Sequence, residues 1–145
     1  MTTTKQFSSS EQAEEEFYAA FEQANIDMMM SVWSTQQNIS CIHPGGPRLD
    51  GLERIRESWL DIFEHEQNIE FEIKHKNIIL EQNIAIHHVI EAISVSGKLQ
   101  SELITTNIYH QTAKGWHLIL HHASPELHAE VSEEEDELGD IHTIH

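Results

Sequence analysis

Cys41 is the sole cysteine among 145 residues. Neither an intramolecular disulfide nor a cysteine-based zinc site can form within one chain, and the thiol reads as a small buried apolar residue rather than a nucleophile. Basic residues are scarce: eight lysines and arginines face 25 aspartates and glutamates, for a net charge of -17 with histidines neutral. A chain so acidic repels phosphate backbones and anionic membrane surfaces, so nucleic acid is not an expected partner. No run is long and apolar enough to cross a bilayer, and the start, Met1 to Phe7, leads into serines and glutamates rather than an apolar signal region. The expectation is a soluble, cytoplasmic protein with no membrane partner. A glycine-rich phosphate loop, a nucleophile elbow and a helical His-Glu-x-x-His motif are absent too, so no cofactor is expected.

What is present has the length of one domain. Ser8 followed by Glu11 has the form of a capping box, and Ala13, Phe17, Ala20, Phe21 and Ala24 recur at helical spacing, which predicts a first helix over 9–24. Met28 to Trp33 reads as a short second helix folded back on it. Residues 38–43 form a short strand, and Asp50 with Glu53 opens a third helix whose apolar stripe is Leu52, Ile55, Trp59, Ile62 and Phe63. The period then changes: Ile69, Phe71 and Ile73 alternate with Glu70, Glu72 and Lys74. Further strands are predicted at about 83–95, 100–112 and 115–124, separated by turn signals around Asn83, Gly97 and Lys114. Helices followed by an antiparallel meander argue for an α+β fold, with a flexible N-terminus over 1–8, the domain over 9–125 and an acidic, disordered tail over 126–145. His128, His142 and His145 in that tail are available to a metal, but they read as part of a solvated segment.

The stretch Cys41-Ile42-His43-Pro44-Gly45-Gly46-Pro47-Arg48 delivers a histidine into a rigid bend with an arginine just beyond. Imidazole titrates near neutrality, so His43 is a candidate acid/base group or, alternatively, a pocket-wall histidine. Arg48 is shaped to meet a ligand carboxylate in two parallel hydrogen bonds, or to pair with Asp50 or Glu53. On the last strand, alternation puts Trp116, Leu118, Leu120, His122 and Ser124 on one face and His117, Ile119 and His121 on the other. His87 and His88 face opposite ways, so only one enters any cavity. Asn107 and Tyr109 share a face and offer an amide and a phenol to a ligand, or else pack across strands. Trp33 and Trp59 read as core or as an apolar lid over a ligand. Twelve histidines invite a metal, yet strand residues four apart, such as His117 and His121, lie about 13 Å from each other and cannot share an ion, and no metal site is assigned.

The order of these elements, closing on Gly115-Trp116 and then His122-Ala123-Ser124, resembles the SnoaL-like branch of the nuclear transport factor 2-like superfamily over about residues 10–125. The resemblance implies a cone-shaped roll in which a curved, mainly antiparallel sheet wraps around the N-terminal helices and leaves a pocket. It also implies a homodimer formed through the other face of the sheet. Relatives include ketosteroid isomerase, polyketide cyclases, dehydratases and non-catalytic modules such as the association domain of calcium/calmodulin-dependent protein kinase II, so the fold alone names no reaction. The resemblance puts the isomerase's general base at His43 and its oxyanion tyrosine at Phe17, with Tyr18 adjacent; the family's His and Ser fall at His122 and Ser124.

The expectation is therefore a small-molecule-binding protein without cofactor or metal. It would be an isomerase, dehydratase or cyclase with His43 and His122 as catalytic groups and Trp33, Arg48, Trp59, Asn107, Tyr109 and Tyr18 around the ligand. The alternative is a non-catalytic dimerisation or ligand-sensing module of the same fold.

Overall fold

The computed structural model describes residues 5–126; the expected acidic tail and its histidines lie almost wholly outside them. Three helices, α1 (Ser10–Gln23), α2 (Ile26–Val32) and α3 (Leu52–His65), are accompanied by six strands: β1 (Ser40–Ile42), β2 (Arg48–Asp50), β3 (Ile69–Glu81), β4 (Ile84–Val95), β5 (Lys98–Thr112) and β6 (Gly115–Pro125). They form one sheet in the order β2-β1-β6-β5-β4-β3. The turns at Gln82-Asn83, Ser96-Gly97 and Ala113-Lys114 make β3 to β6 an antiparallel meander, whereas β1 pairs in parallel with β6.

Local chemistry corrects two expected helix starts. The side chain of Ser9, not Ser8, caps α1 by accepting the Gln12 amide, while Gln12 accepts from the backbone and hydroxyl of Ser8. Asp50 does not cap α3; it belongs to β2, accepts from Ser40 and Arg48, and leaves Gly51 at the N-cap with φ 91°.

The helices cover one face of the sheet. Phe17, Met29, Val32, Trp33, Ile55 and Trp59 are fully buried there with Tyr109 and Leu118 from the strands. The segment ahead of α1 is tied to the start of β6: Phe7 is buried, its carbonyl accepts from the Trp116 amide, and the carbonyl of Lys5 lies 2.7 Å from His117 Nε2. A Cβ at Gly115, whose φ is 99°, would stand 2.6 Å from the Phe7 carbonyl oxygen. Gly115→Ala is expected to cost more than about 1 kcal/mol in urea unfolding, because both the left-handed backbone and the close approach exclude a side chain. Wild-type stability in that variant would contradict this contact.

On the opposite face, Ile79, Ile86, Ile108 and Leu120 stand in register across four strands, with Ile90 beside Ile104 beyond the intervening row of His88, Thr106 and His122. Ile79 and Ile104 are 46% and 45% exposed among the described residues, so this face carries accessible apolar side chains.

Candidate active site

The bend after β1 is a tight turn in which Pro44 and Gly45 are the central residues. The His43 carbonyl accepts the Gly46 amide at 2.8 Å, and Gly45 takes the positive φ, 73°, that the third position of a type II turn requires. Because β1 runs parallel to β6 with Cys41 opposite His121, the turn sets His43 beside the inward-facing end of β6. The His43 and His121 ring centres lie 6.4 Å apart, and Trp59 from α3 stands edge-on to His43 at 4.8 Å.

Next to these rings is a cavity of about 690 Å³. Its apolar wall includes Phe21, Ile62, Ile69, Ile93, Leu103 and Ala123, and its polar lining is His43, Glu66, Glu91, Gln100, Ser101 and His121. Two of these, Glu91 and His121, are buried and are joined behind the wall by a hydrogen-bonded chain. His121 Nδ1 is 2.6 Å from Asn107 Oδ1, Asn107 Nδ2 donates to the Tyr18 hydroxyl at 3.0 Å, and that hydroxyl donates to Glu91 Oε2 at 2.5 Å. The amide orientation assigns the proton: Asn107 Oδ1 can only accept, so His121 carries its hydrogen on Nδ1 and keeps a lone pair on Nε2. Every donor in the chain points toward Glu91.

His43 is oriented in the same way. Ser58 donates to the Ile55 carbonyl at 2.7 Å, so its oxygen accepts from His43 Nε2 at 2.9 Å, which leaves the lone pair of His43 on Nδ1.

Burial sets the charges. It pushes the Glu91 carboxyl up to about 7, against the pull of hydrogen bonds from Tyr18 and Thr105. It pushes His121 down to about 3, helped by the neighbouring His43 and His122, and it lowers His43 as well. The Cys41 thiol is driven far upward by burial, first, and by the charge of Glu91, and is inert. Around neutral pH the cavity thus holds two neutral imidazoles and one carboxyl poised between its two forms.

The other residues expected at the site are dispersed. Asn107 and Tyr18 belong to the chain behind the wall. Tyr109 is fully buried 4.8 Å from the His87 ring, and among the described residues its hydroxyl has no partner. Trp33 is fully buried and bridges to Leu118, away from the cavity lining. Arg48 is exposed, pairs with Asp50 at 3.2 Å, and borders a separate polar groove with Ser34, Gln37 and Asn38. His122 lies exposed on the outer face opposite Thr106, because the register between β5 and β6 slips by one residue around Ile119. That bulge reverses the expected alternation and turns His121 inward in its place. Of the paired histidines, His87 faces inward but away from the cavity lining: it lies between Glu14 Oε2 at 3.0 Å and Ser10 Oγ at 2.9 Å, while His88 is exposed. Sequence reasoning missed Glu91 and His121.

Three helices against one face of an unclosed, curved, mostly antiparallel sheet define the nuclear transport factor 2-like cone fold. The profile of the SnoaL-like domain matches residues 11–128, and the chain belongs to that family. A Thiobacillus denitrificans protein described as a calcium/calmodulin-dependent protein kinase type II association domain is 32% identical, with a TM-score of 0.79 over 84% of this chain and 98% of its own. A Streptomyces avermitilis protein described as a dehydratase of the NTF2-like family is 28% identical, with a TM-score of 0.75 over 82% of this chain and 94% of its own. The F-box protein SKIP8 of Arabidopsis thaliana is 23% identical over 75% of this chain, which spans only 46% of that protein's length.

Proposed function

We propose that this chain binds a small, largely apolar molecule in the cavity and moves protons on it without a cofactor, as an isomerase, dehydratase or cyclase would. The observation that carries this reading is the pairing, in one cavity wall, of a carboxyl near neutrality with a neutral imidazole, both locked in orientation by Asn107 and Tyr18. Glu91 is the acid/base group: ionised, it removes a proton from the bound molecule, and protonated, it returns one or assists loss of a hydroxyl. His43, through Nδ1, is the second base, and His121 Nε2 orients the ligand. Trp59 backs His43, and Tyr18 and Asn107 act as positioning residues.

A generic proton abstraction tests this without knowledge of the natural substrate. Kemp elimination of a nitrobenzisoxazole should be accelerated with a rate that rises through pH 7, and Glu91→Gln should lower that rate by about 100-fold, at the low end of what general bases contribute. His43→Gln should lower it less. An equal rate in Glu91→Gln would overturn the catalytic role.

The 32% identical association domain favours a second reading, a non-catalytic dimerisation or ligand-sensing module; such a protein would show no acceleration above buffer. In either reading we propose a homodimer through the outer face, supported by the exposure of Ile79 and Ile104 among the described residues. Ile104→Lys should then yield monomers in light scattering, and a wild-type chain that is already monomeric would contradict it. Among the described residues no helix is long and apolar enough to cross a membrane, and the single buried free thiol is compatible with a cytoplasmic setting.

A further inference from the structure

Gln100 and Ser101 bring an amide and a hydroxyl to the lining, but its two imidazoles have already committed the hydrogens they carry. His121 spends its Nδ1 hydrogen on Asn107, His43 spends its Nε2 hydrogen on Ser58, and one oxygen of Glu91 is taken by the Tyr18 hydroxyl. What is left is a lone pair on His121 Nε2, a lone pair on His43 Nδ1 and, above pH 7 where Glu91 is ionised, a carboxylate whose charge the hydrogen bonds of Tyr18 and Thr105 only partly offset. Glu66 at the end of α3 adds a further carboxylate to the lining. No lysine or arginine is among the described lining residues. Of the eight lysines and arginines, Lys5, Arg48, Lys74 and Lys76 are paired with Glu16, Asp50, Glu102 and Glu14, and Arg54, Arg56, Lys98 and Lys114 are exposed outside the lining. Residues 127–145, which follow the part of the chain that borders the cavity at Pro125, contain no lysine or arginine either.

Such a lining discriminates by charge. A carboxylate or phosphate would present lone pairs to lone pairs and negative charge to negative charge with no cation to compensate. A hydroxyl supplies one donor and no charge. A protonated primary amine supplies three donors, no acceptor and a positive charge, so it suits a lining that has carboxylates and free imidazole lone pairs but no cation better than either does. Its charge also stabilises the ionised form of Glu91, the form that burial alone disfavours. The Phe21 ring in the wall gives a cation a favourable neighbour. The rest of the wall, Ile62, Ile69, Ile93 and Leu103, suits a compact hydrocarbon body.

From this geometry we infer that the cavity selects a lipophilic amine, with its ammonium group at the Glu91 carboxylate and its apolar body against the isoleucines. The inference rests on the proposal that the cavity is a ligand site, and it replaces the acidic ligand that Arg48 suggested by a basic one.

A shape-matched series separates the two claims: adamantylmethylamine, adamantylmethanol and adamantanecarboxylate, titrated calorimetrically into the wild-type protein and Glu91→Gln at pH 8. The amine should bind on the order of tenfold more tightly than the alcohol, as expected for hydrogen bonds to a charged group, and the carboxylate should not bind. Glu91→Gln should lose that advantage while it still binds the alcohol, which also shows that the variant is folded. If the alcohol or the carboxylate binds as tightly as the amine, the amine inference is wrong and the ligand site stands. If no member of the series binds, both are wrong.

Discussion

Glu14→Ala should cost about 3–5 kcal/mol of folding stability, the range for removing one partner of a buried ion pair. Glu14 comes from α1 and is almost wholly buried, yet it meets two partners from the sheet: Lys76 Nζ at 2.7 Å on β3 and His87 Nδ1 at 3.0 Å on β4. Burial opposes its charge, but the hydrogen bonds and charges of His87 and Lys76 prevail, so its carboxyl lies below the usual value. A folded-state value below the unfolded one contributes stability above the unfolded value, and that contribution is lost as the pH falls through the folded one. Truncation leaves His87, which has no exposure at all, facing an empty position, and it cuts one of the polar ties between α1 and the sheet. Glu14→Gln, which can still accept from His87, should lose less. Urea titration measures both; a loss below about 1 kcal/mol in Glu14→Ala would mean that the pair does not hold the helix.

The second large effect concerns pH. Glu91 has a folded-state value of about 7 against an ordinary 4.5, so it favours the fold where it is protonated, and that contribution disappears as pH rises through 7. His121, at about 3 against an ordinary 6.5, acts in the other direction: the fold needs it neutral, and stability is lost as pH falls from 6.5 toward 3. Between pH 7 and pH 5 each effect amounts to about 2 kcal/mol at 1.36 kcal/mol per pH unit, and they nearly cancel. Glu91→Gln removes one side of the balance. Relative to the wild type it should lose about 2 kcal/mol on going from pH 7 to pH 5, with the contributions of Glu14 and His43 common to both proteins. Identical pH slopes for the two would show that Glu91 titrates normally.

Much of the fold is written in local patterns, and much of the site is not. The switch from helical spacing to the alternation of Ile69, Phe71 and Ile73, and the turns at Asn83, Gly97 and Lys114, were sufficient for helices followed by a meander. The three-residue strand β2 left no such mark, since it exists only through its pairing with β1 across the bend. Glu91 was hidden because β4 is apolar on both faces: Ile86 and Ile90 point outward while Ala85, Val89 and Glu91 point inward. A strand buried or half-buried on both sides gives no alternation by which to choose its inner face. His121 was hidden by the bulge at Ile119, which no glycine announces. Tyr18 and Asn107 were legible as polar groups on inward positions, but their joint role became visible only when α1 met the sheet and set their polar atoms 3.0 Å apart. Arg48 answers to the nearest acid, Asp50, two residues along its own strand, and never reaches the cavity.

The most direct measurement is a carbon-13 NMR titration of the Glu91 carboxyl carbon, assigned by its disappearance in Glu91→Gln. A midpoint near 7 is expected for a carboxyl held in the wall, linked to His121 through Tyr18 and Asn107 and ready to give or take a proton at neutral pH. A midpoint near the ordinary 4.5 would contradict it, because the cavity would then hold a fixed anion rather than an acid/base group.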